Sequence, residues 1–227
     1  MTVPNLCDGL SKPPGEIQVF GGAAFASDLD SDEACVFTGD EYIENGIVFL
    51  LLGGEELHIQ TQFVTGWKPL GSYLHVTKTD GFLLKELNHH SAYEIYYKYL
   101  HIKNDENFFY NTLEFPFLYR HNGIDIMRAP VASNPDGSLT MTSNMEENVQ
   151  ARIAYGDPWT ILKTTYEAAE KMLSFAPEGI TVFSCAARRT FWGNKEVGKE
   201  TEAYQRLAPT SGFYTAGEFL RTGTDVN

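Results

Sequence analysis

The chain has 227 residues and a formal net charge of −13, because 30 aspartates and glutamates outnumber 17 lysines and arginines. Its 43% hydrophobic and 13% aromatic content is typical of a globular protein of one large or two modest domains, and excludes a fibrous or disordered one. Unless a local basic patch intervenes, so acidic a chain repels nucleic acid and anionic lipid, and we expect neither as a partner.

Cysteine usage and hydropathy indicate the compartment. The chain has three cysteines, Cys7, Cys35 and Cys185, which are widely separated and form no CxxC motif. This spacing and the odd number argue against a disulfide framework. No signal-peptide pattern is present, and the longest apolar run, residues 47–52, has the length of a strand and cannot cross a membrane. We therefore expect a soluble protein without membrane insertion in a reducing compartment, most simply the cytoplasm.

The first 60 residues carry eleven acidic residues and one basic residue, Lys12. A solvated loop face explains this bias most simply. Acids alternate in residues 28–33 as they do in calcium loops, but the central glycine and the glutamate at the twelfth position are missing, so an EF-hand is rejected. The histidines have no metal-ligand spacing, and no nucleotide-binding glycine motif or GxSxG occurs, so we expect no metal and no cofactor.

Strands dominate the predicted elements of the first ninety residues. Residues 1–16 are rich in proline and glycine and form an irregular lead-in. Short strands are predicted at 17–20, 34–38, 46–52 and 56–64; the last alternates apolar and polar residues, as half-buried antiparallel strands do. Residues 73–79 and 82–87 are predicted to form a hairpin about Asp80-Gly81.

The rest of the chain alternates helix and strand. Ser91, with Glu94 three residues later, predicts a capped helix at 91–101, and Asp157-Pro158 predicts the start of a helix that reaches about residue 175. Further strands are predicted at 124–131, 138–141, 149–155, 180–183 and 212–219, and a helix at 198–208.

These elements predict an α+β fold, because the short connections require mainly antiparallel sheets against which the helices pack. We expect two coupled sheet-and-helix units that meet near residues 104–122. The lead-in at 1–16 would precede an N-terminal unit at 17–103 and a C-terminal unit at 104–227.

Cys185 follows the predicted strand at 180–183 and precedes Arg188 and Arg189. If a helix begins after Cys185, its dipole and the arginines would lower the pKa of the thiol and produce a nucleophilic thiolate. This interpretation predicts a Cys-dependent hydrolase or transferase. The alternative is a small buried thiol with a structural role.

The same region also predicts a binding pocket for a small charged molecule. Arg188 could bind a carboxylate or phosphate through paired hydrogen bonds, or it could form an ion pair with Glu200, Glu202 or Glu218. Glu218 could accept a ligand ammonium group, or it could lie exposed beside a tightly packed strand. The other residues predicted to line the pocket are Phe213, Tyr214, Gly217, Ser184 and Cys185.

Five sequence blocks occur in a recognisable order. They are FGGAA at 20–24; GWKPLG at 66–71 with VTK at 76–78; the helix within 87–100; RAP at 128–130 with DGSL at 136–139 and GD at 156–157; and FSC at 183–185, Arg188 and GFYTAGE at 212–218. In this order the blocks resemble the FIST domain, a sensory module of bacterial signalling proteins that also occurs in eukaryotic F-box proteins.

The resemblance implies a non-catalytic sensory domain that binds a small metabolite, for instance an amino acid, and signals to an output domain or protein partner. An amino acid would suit the pocket, with its carboxylate on Arg188 and its ammonium on Glu218. An interaction scaffold, as in the F-box relatives, is a further alternative. Only about twenty residues precede the double glycine and the chain ends soon after Glu218, so we expect a member truncated at both ends.

Overall fold

The computed structural model describes residues 7, 9–11, 17–25, 34–196, 198–222 and 225–226. The acidic run at 28–33 lies outside these residues, as does most of the predicted lead-in at 1–16. The chain divides into two compact units. One comprises Gly66–Ile161, and the other combines Met1–Thr65 with Leu162–Asn227.

The described residues form fifteen strands and five helices, which makes the protein a mixed α and β structure with mainly antiparallel pairing, as the sequence predicts. The strands are β1 (Phe20–Gly22), β2 (Val36–Thr38), β3 (Glu41–Ile43), β4 (Lys68–Asp80), β5 (Leu83–Leu87), β6 (His90–Ser91), β7 (Phe117–His121), β8 (Ile124–Arg128), β9 (Pro130–Ser133), β10 (Leu139–Met141), β11 (Gln150–Tyr155), β12 (Ile180–Cys185), β13 (Thr210–Thr215), β14 (Glu218–Thr222) and β15 (Asp225–Val226). The helices are α1 (Ala92–Leu100), α2 (Phe108–Leu113), α3 (Pro158–Lys171), α4 (Ala186–Glu196) and α5 (Lys199–Gln205).

The unit Gly66–Ile161 is built on one antiparallel sheet of eight strands. Its strand order is β8-β7-β11-β4-β5-β10-β9, and β6 pairs with β5. The inward faces of the sheet and of α1 and α2 bury one continuous apolar cluster, in which Leu84, Tyr96 and Phe117 are fully buried. Tyr96 and Phe117 pack ring against ring, with centroids 5.4 Å apart. This unit therefore has a complete hydrophobic core.

Local sequence signals in this unit are confirmed. The hairpin predicted about Asp80-Gly81 is present: Asp80 pairs with Leu83, and the turn residues are Gly81 and Phe82. Gly81 has φ +57°, a conformation that favours glycine. Ser91 caps α1 by accepting a hydrogen bond from the Glu94 amide at 3.4 Å. The Asp157 carboxylate accepts one from the Thr160 amide at 2.9 Å, at the start of α3. Each signal acts through neighbours in sequence, so it needs no tertiary information.

The described part of the other unit contains three small sheets. β12 and β13 pair in parallel, with Cys185 opposite Thr215. β1, β14 and β15 form an antiparallel sheet, and β2 and β3 form a hairpin. Helix α4 begins directly after β12 and is interrupted at Gly193, whose φ of +62° and ψ of 179° are not helical.

Two strand predictions in this unit are wrong. Residues 46–52 and 56–64 form neither strand nor helix, although the first is apolar and the second alternates. A strand requires a neighbour to accept and donate its backbone hydrogen bonds, and the pattern of one segment does not supply that neighbour. The strand predicted at 124–131 is divided at Ala129 into β8 and β9, and that at 212–219 is divided into β13 and β14.

The predicted join at residues 104–122 lies inside the unit Gly66–Ile161, where it contains the whole of α2 and of β7. The division into an N-terminal unit at 17–103 and a C-terminal unit at 104–227 stays a prediction.

Candidate functional site

The sequence-predicted site lies at the carboxyl ends of β12 and β13. These two parallel strands end at the same edge, where Cys185 and Thr215 are opposite each other. Helix α4 begins at the next residue, Ala186, so its first amide groups face this edge. The carboxyl edge of parallel strands, combined with a helix N-terminus, is a common setting for small-ligand sites.

The double-glycine segment at residues 20–24 completes this edge. Gly22 pairs with Glu218, and the Ala23 amide donates to the carbonyl of Gly217 at 2.9 Å. A Cβ on Gly22 would lie 2.2 Å from Cγ2 of Thr215, so only glycine fits this close approach. Two of the five blocks that carry the family resemblance, the first and the last, therefore meet here, and the last contributes two segments from different parts of the sequence.

Arg188 lies on α4 and forms an ion pair with Glu200 on α5. Its Nε atom donates to Oε2 of Glu200 at 3.1 Å, its Nη2 atom contacts Oε1, and its Nη1 atom donates to the carbonyl of Thr65. Both side chains are 12% exposed. One of the predicted alternatives, an ion pair with a nearby glutamate, is thus the arrangement observed, and the partner is Glu200.

The Glu200 carboxylate accepts two further hydrogen bonds. The indole Nε1 of Trp192 donates to Oε2 at 2.6 Å, and the hydroxyl of Thr165 donates to Oε1 at 3.1 Å. A carboxylate with this many donors is held in one position, and so is the guanidinium that faces it. This network of Thr165, Arg188, Trp192 and Glu200 connects α3, α4 and α5 within one unit.

Glu218 has a different partner. The buried hydroxyl of Thr215 contacts the Glu218 carboxylate and also lies 3.1 Å from the carbonyl of Ser184. Glu218 also contributes an electrostatic interaction with Cys185. The structure thus brings Ser184, Cys185 and Glu218 together at the strand edge, whereas the Arg188 guanidinium is directed to Glu200.

The surroundings of Cys185 favour its neutral thiol over the thiolate. Burial, with a smaller contribution from the nearby Glu218 carboxylate, raises its pKa to about 11, because both oppose the negative charge of a thiolate. The amides of Ala187 and Arg188, at the start of α4, act in the opposite direction and are outweighed. The predicted helix after Cys185 exists, but burial dominates over its dipole.

Phe213 and Tyr214, which are predicted to line the pocket, lie near the end of β13, and Gly217 lies in the bend after it. Phe213 is 52% exposed and meets Phe183 edge to face, with centroids 5.2 Å apart. The guanidinium carbon of Arg189 lies 5.8 Å from the centre of the Tyr214 ring. Burial raises the pKa of the Tyr214 hydroxyl, with a smaller contribution from Glu200. Gly217, with φ +123°, allows the sharp bend between β13 and β14.

Sequence reasoning missed two contributors to this site, Trp192 and Thr215. A buried indole N–H requires an acceptor, so a tryptophan four residues after Arg188 was a signal that a carboxylate lies nearby. Thr215 belongs to the GFYTAGE block, but nothing in the sequence shows that its hydroxyl contacts both Ser184 and Glu218.

The other unit contains a separate open cavity of about 300 Å³ that the sequence did not predict. It lies beside the N-terminus of α1 and has a mixed lining of Lys78, Lys85, Glu86, His89, Ser91, Asp136 and Ser138. Lys85 is held by Asp80 at 2.7 Å, and Lys78 lies 3.6 Å from Glu86. These pairs leave the cavity without a dominant charge.

Two profiles of one protein family match adjoining parts of the chain. The FIST C domain profile matches residues 92–221, which is more than half of the chain, and the FIST N domain profile matches residues 2–90. The chain belongs to the FIST family. FIST domains are associated with sensory signal-transduction proteins. No curated protein and no solved structure matched this FIST chain.

Metal-ligand clusters and membrane-spanning helices are both absent from the described residues of this FIST chain. These residues contain no group of three or more histidine, cysteine, aspartate or glutamate side chains placed to hold a metal ion. No described helix is long and apolar enough to cross a membrane.

Proposed function

We propose that this FIST chain is the ligand-binding module of a cytoplasmic signalling protein and binds a small zwitterionic metabolite, such as an amino acid, without catalysis. The observation that carries the proposal is the meeting of three sequence segments, residues 20–24, 183–185 and 212–218, at the carboxyl edge of β12 and β13. A carboxylate, a cationic side chain and helix amides all lie near this edge, as a zwitterion requires.

Arg188 would bind the ligand carboxylate in competition with Glu200. The ligand would replace one carboxylate on the guanidinium by another, so no charge is left buried without a partner. Glu218 would receive the ammonium group, and Ser184, Gly217 and Cys185 would contribute backbone and small-residue contacts. Phe213 and Tyr214 would form the wall.

The competition also supplies a signalling mechanism. Glu200 lies on α5, whereas Arg188 lies on α4. A ligand that releases Glu200 from Arg188 would free α5 and would therefore bind the two arrangements with different affinities, which is the condition for a conformational switch. The output domain or protein partner would respond to the position of α5.

A thermal-shift screen with the twenty standard amino acids tests the proposal. A ligand at a hundredfold excess over its Kd stabilises a protein by about 2.7 kcal/mol, so the midpoint of unfolding should rise by several degrees for at least one of them. Glu218→Gln should lose the shift, whereas Glu202→Gln, an exposed neutralisation on α5, should keep it. If no amino acid shifts the midpoint, the proposed ligand class is wrong.

The Cys-dependent hydrolase or transferase is the alternative. The raised pKa of Cys185 argues against it, because only the thiolate is nucleophilic. With a pKa near 11, Cys185 should react with iodoacetamide at pH 8 roughly a hundredfold more slowly in the folded chain than in the urea-unfolded chain. Rapid alkylation in the folded chain would favour the enzyme.

A further inference from the structure

The unit that holds the ligand site also exposes a long apolar segment, residues 47–52, with the sequence IVFLLL. Five consecutive side chains in it are 41–87% exposed: Val48, Phe49, Leu50, Leu51 and Leu52. Isolated exposed apolar residues are ordinary, but a contiguous group is a mark of an interaction surface. We call residues 47–52 the apolar segment.

The backbone of the apolar segment is also without regular structure. It belongs to no helix or strand, and the described residues place no hydrogen bond on its amides or carbonyls. Its isoleucine, valine and phenylalanine favour strands. Such a segment can gain both backbone hydrogen bonds and apolar burial by pairing with an edge strand of another protein.

Charge decides which partner fits. Between residues 34 and 67 the chain has five acids and no lysine or arginine. Asp40, Glu41 and Glu44 precede the apolar segment, Glu55 and Glu56 follow it, and all five are exposed. The segment is therefore an uncharged centre between two acidic borders.

A second copy of the chain fits these borders poorly. If two apolar segments paired antiparallel about Phe49 and Leu50, Glu44 of each copy would face Glu55 of the other, and like charges directly opposite are destabilising. An anionic lipid surface is repelled by the same acids.

We propose that the apolar segment is a docking strand for a partner protein that presents an apolar edge strand or groove bordered by lysines or arginines. The hairpin of β2 and β3, which precedes the segment in the same unit, exposes a further aromatic pair. Phe37 and Tyr42 lie with ring centroids 6.4 Å apart and are 67% and 78% exposed. This proposal goes beyond ligand binding and does not depend on it.

Two labelled peptides test the proposal on the full chain by fluorescence anisotropy. KKVTVTVKK and EEVTVTVEE share one strand-forming centre and differ only in the charge of their borders. The lysine-bordered peptide should bind roughly tenfold or more tightly at low salt, and the difference should shrink in high salt. Equal binding of both peptides, or binding of neither, would overturn the proposal.

Variants locate the binding. Leu50→Ser with Leu51→Ser should abolish binding of the lysine-bordered peptide, whereas Leu173→Ser, at a leucine 61% exposed elsewhere in the same unit, should not change it. Glu44→Gln with Glu55→Gln should remove most of the preference between the peptides. Unchanged binding in the first variant would place the site elsewhere and contradict the proposal.

Sedimentation velocity and vesicle flotation test the two other candidate occupants of the apolar segment, a second copy of the chain and a lipid surface. Self-association of the wild-type chain that Leu50→Ser with Leu51→Ser abolishes would assign the segment to a second copy and overturn the proposal. Binding to vesicles of phosphatidylcholine and phosphatidylglycerol would assign it to lipid, with the same consequence. The proposal expects a monomer that does not bind the vesicles.

Discussion

The two units of this FIST chain are stabilised in different ways. The unit Gly66–Ile161 closes an eight-stranded sheet over one apolar cluster, whereas the other unit combines small sheets with a charged and hydrogen-bonded network around Glu200. The second unit also leaves the apolar segment exposed. A complete apolar core gives rigidity, whereas a polar network with alternative partners can be rearranged by a ligand, which suits a sensor.

The largest expected effect is the loss of core packing in the unit Gly66–Ile161. Phe117→Ala removes a fully buried ring that packs on Tyr96, and should destabilise the chain by about 3–5 kcal/mol. Urea unfolding should show the lower midpoint. Phe213→Ala, at a half-exposed phenylalanine of the other unit, is the control and should cost much less. Similar losses in both variants would refute the contrast between the units.

The next effect should come from the network of the other unit. Glu200→Gln leaves the Arg188 guanidinium without its charged partner, and should cost about 2–3 kcal/mol, below the loss for a fully buried pair because both side chains are 12% exposed. Thermal unfolding measures the change. A cost no larger than that of an exposed pair would show that the network is not structural.

Local signals and tertiary surroundings differed in how well the sequence predicted them. The caps at Ser91 and Asp157 and the turn at Asp80-Gly81 were predicted because each depends on residues within three positions. The strands at 46–52 and 56–64 were predicted wrongly, since an apolar or alternating pattern does not specify a pairing neighbour.

In the candidate site, too, features set by neighbouring residues were easier to predict than features set by the tertiary surroundings. The segments at 183–185 and 212–215 lie side by side as paired strands, and a helix begins directly after Cys185. The direction of the Cys185 pKa shift required the surrounding structure, because burial and Glu218 outweigh the helix. The sequence likewise does not show which of Glu200, Glu202 and Glu218 pairs with Arg188, because that choice depends on the packing of α5 against α4.

A smaller effect should appear at alkaline pH. The folded pKa of Cys185, about 11, lies above its ordinary value of 9.0, so the neutral thiol is favoured in the folded state. Its stabilising contribution is complete below about pH 9 and is lost as the pH rises towards 11, at most about 2 kcal/mol. The difference in unfolding free energy between wild type and Cys185→Ala should therefore decrease from pH 8 to pH 11. A constant difference would contradict the shifted pKa.

The smallest effect should come from an exposed ion pair in the same unit. Lys163 and Glu167 lie 3.6 Å apart on α3, with side chains 76% and 53% exposed. Glu167→Gln should change stability by no more than about 0.5 kcal/mol. Denaturation of this variant beside Glu200→Gln shows whether burial, rather than charge alone, gives the network its strength.

Binding of a ligand to Arg188 in competition with Glu200 is the central claim, and the indole N–H of Trp192 reports on it directly. That N–H donates to Glu200 at 2.6 Å, whereas Trp159 is 82% exposed in the other unit. A nitrogen–proton NMR titration with the twenty amino acids should shift the Trp192 indole signal saturably for at least one of them and leave the Trp159 signal in place. Saturable binding of an amino acid that leaves the Trp192 signal unchanged, or no binding by any of the twenty, would contradict the claim.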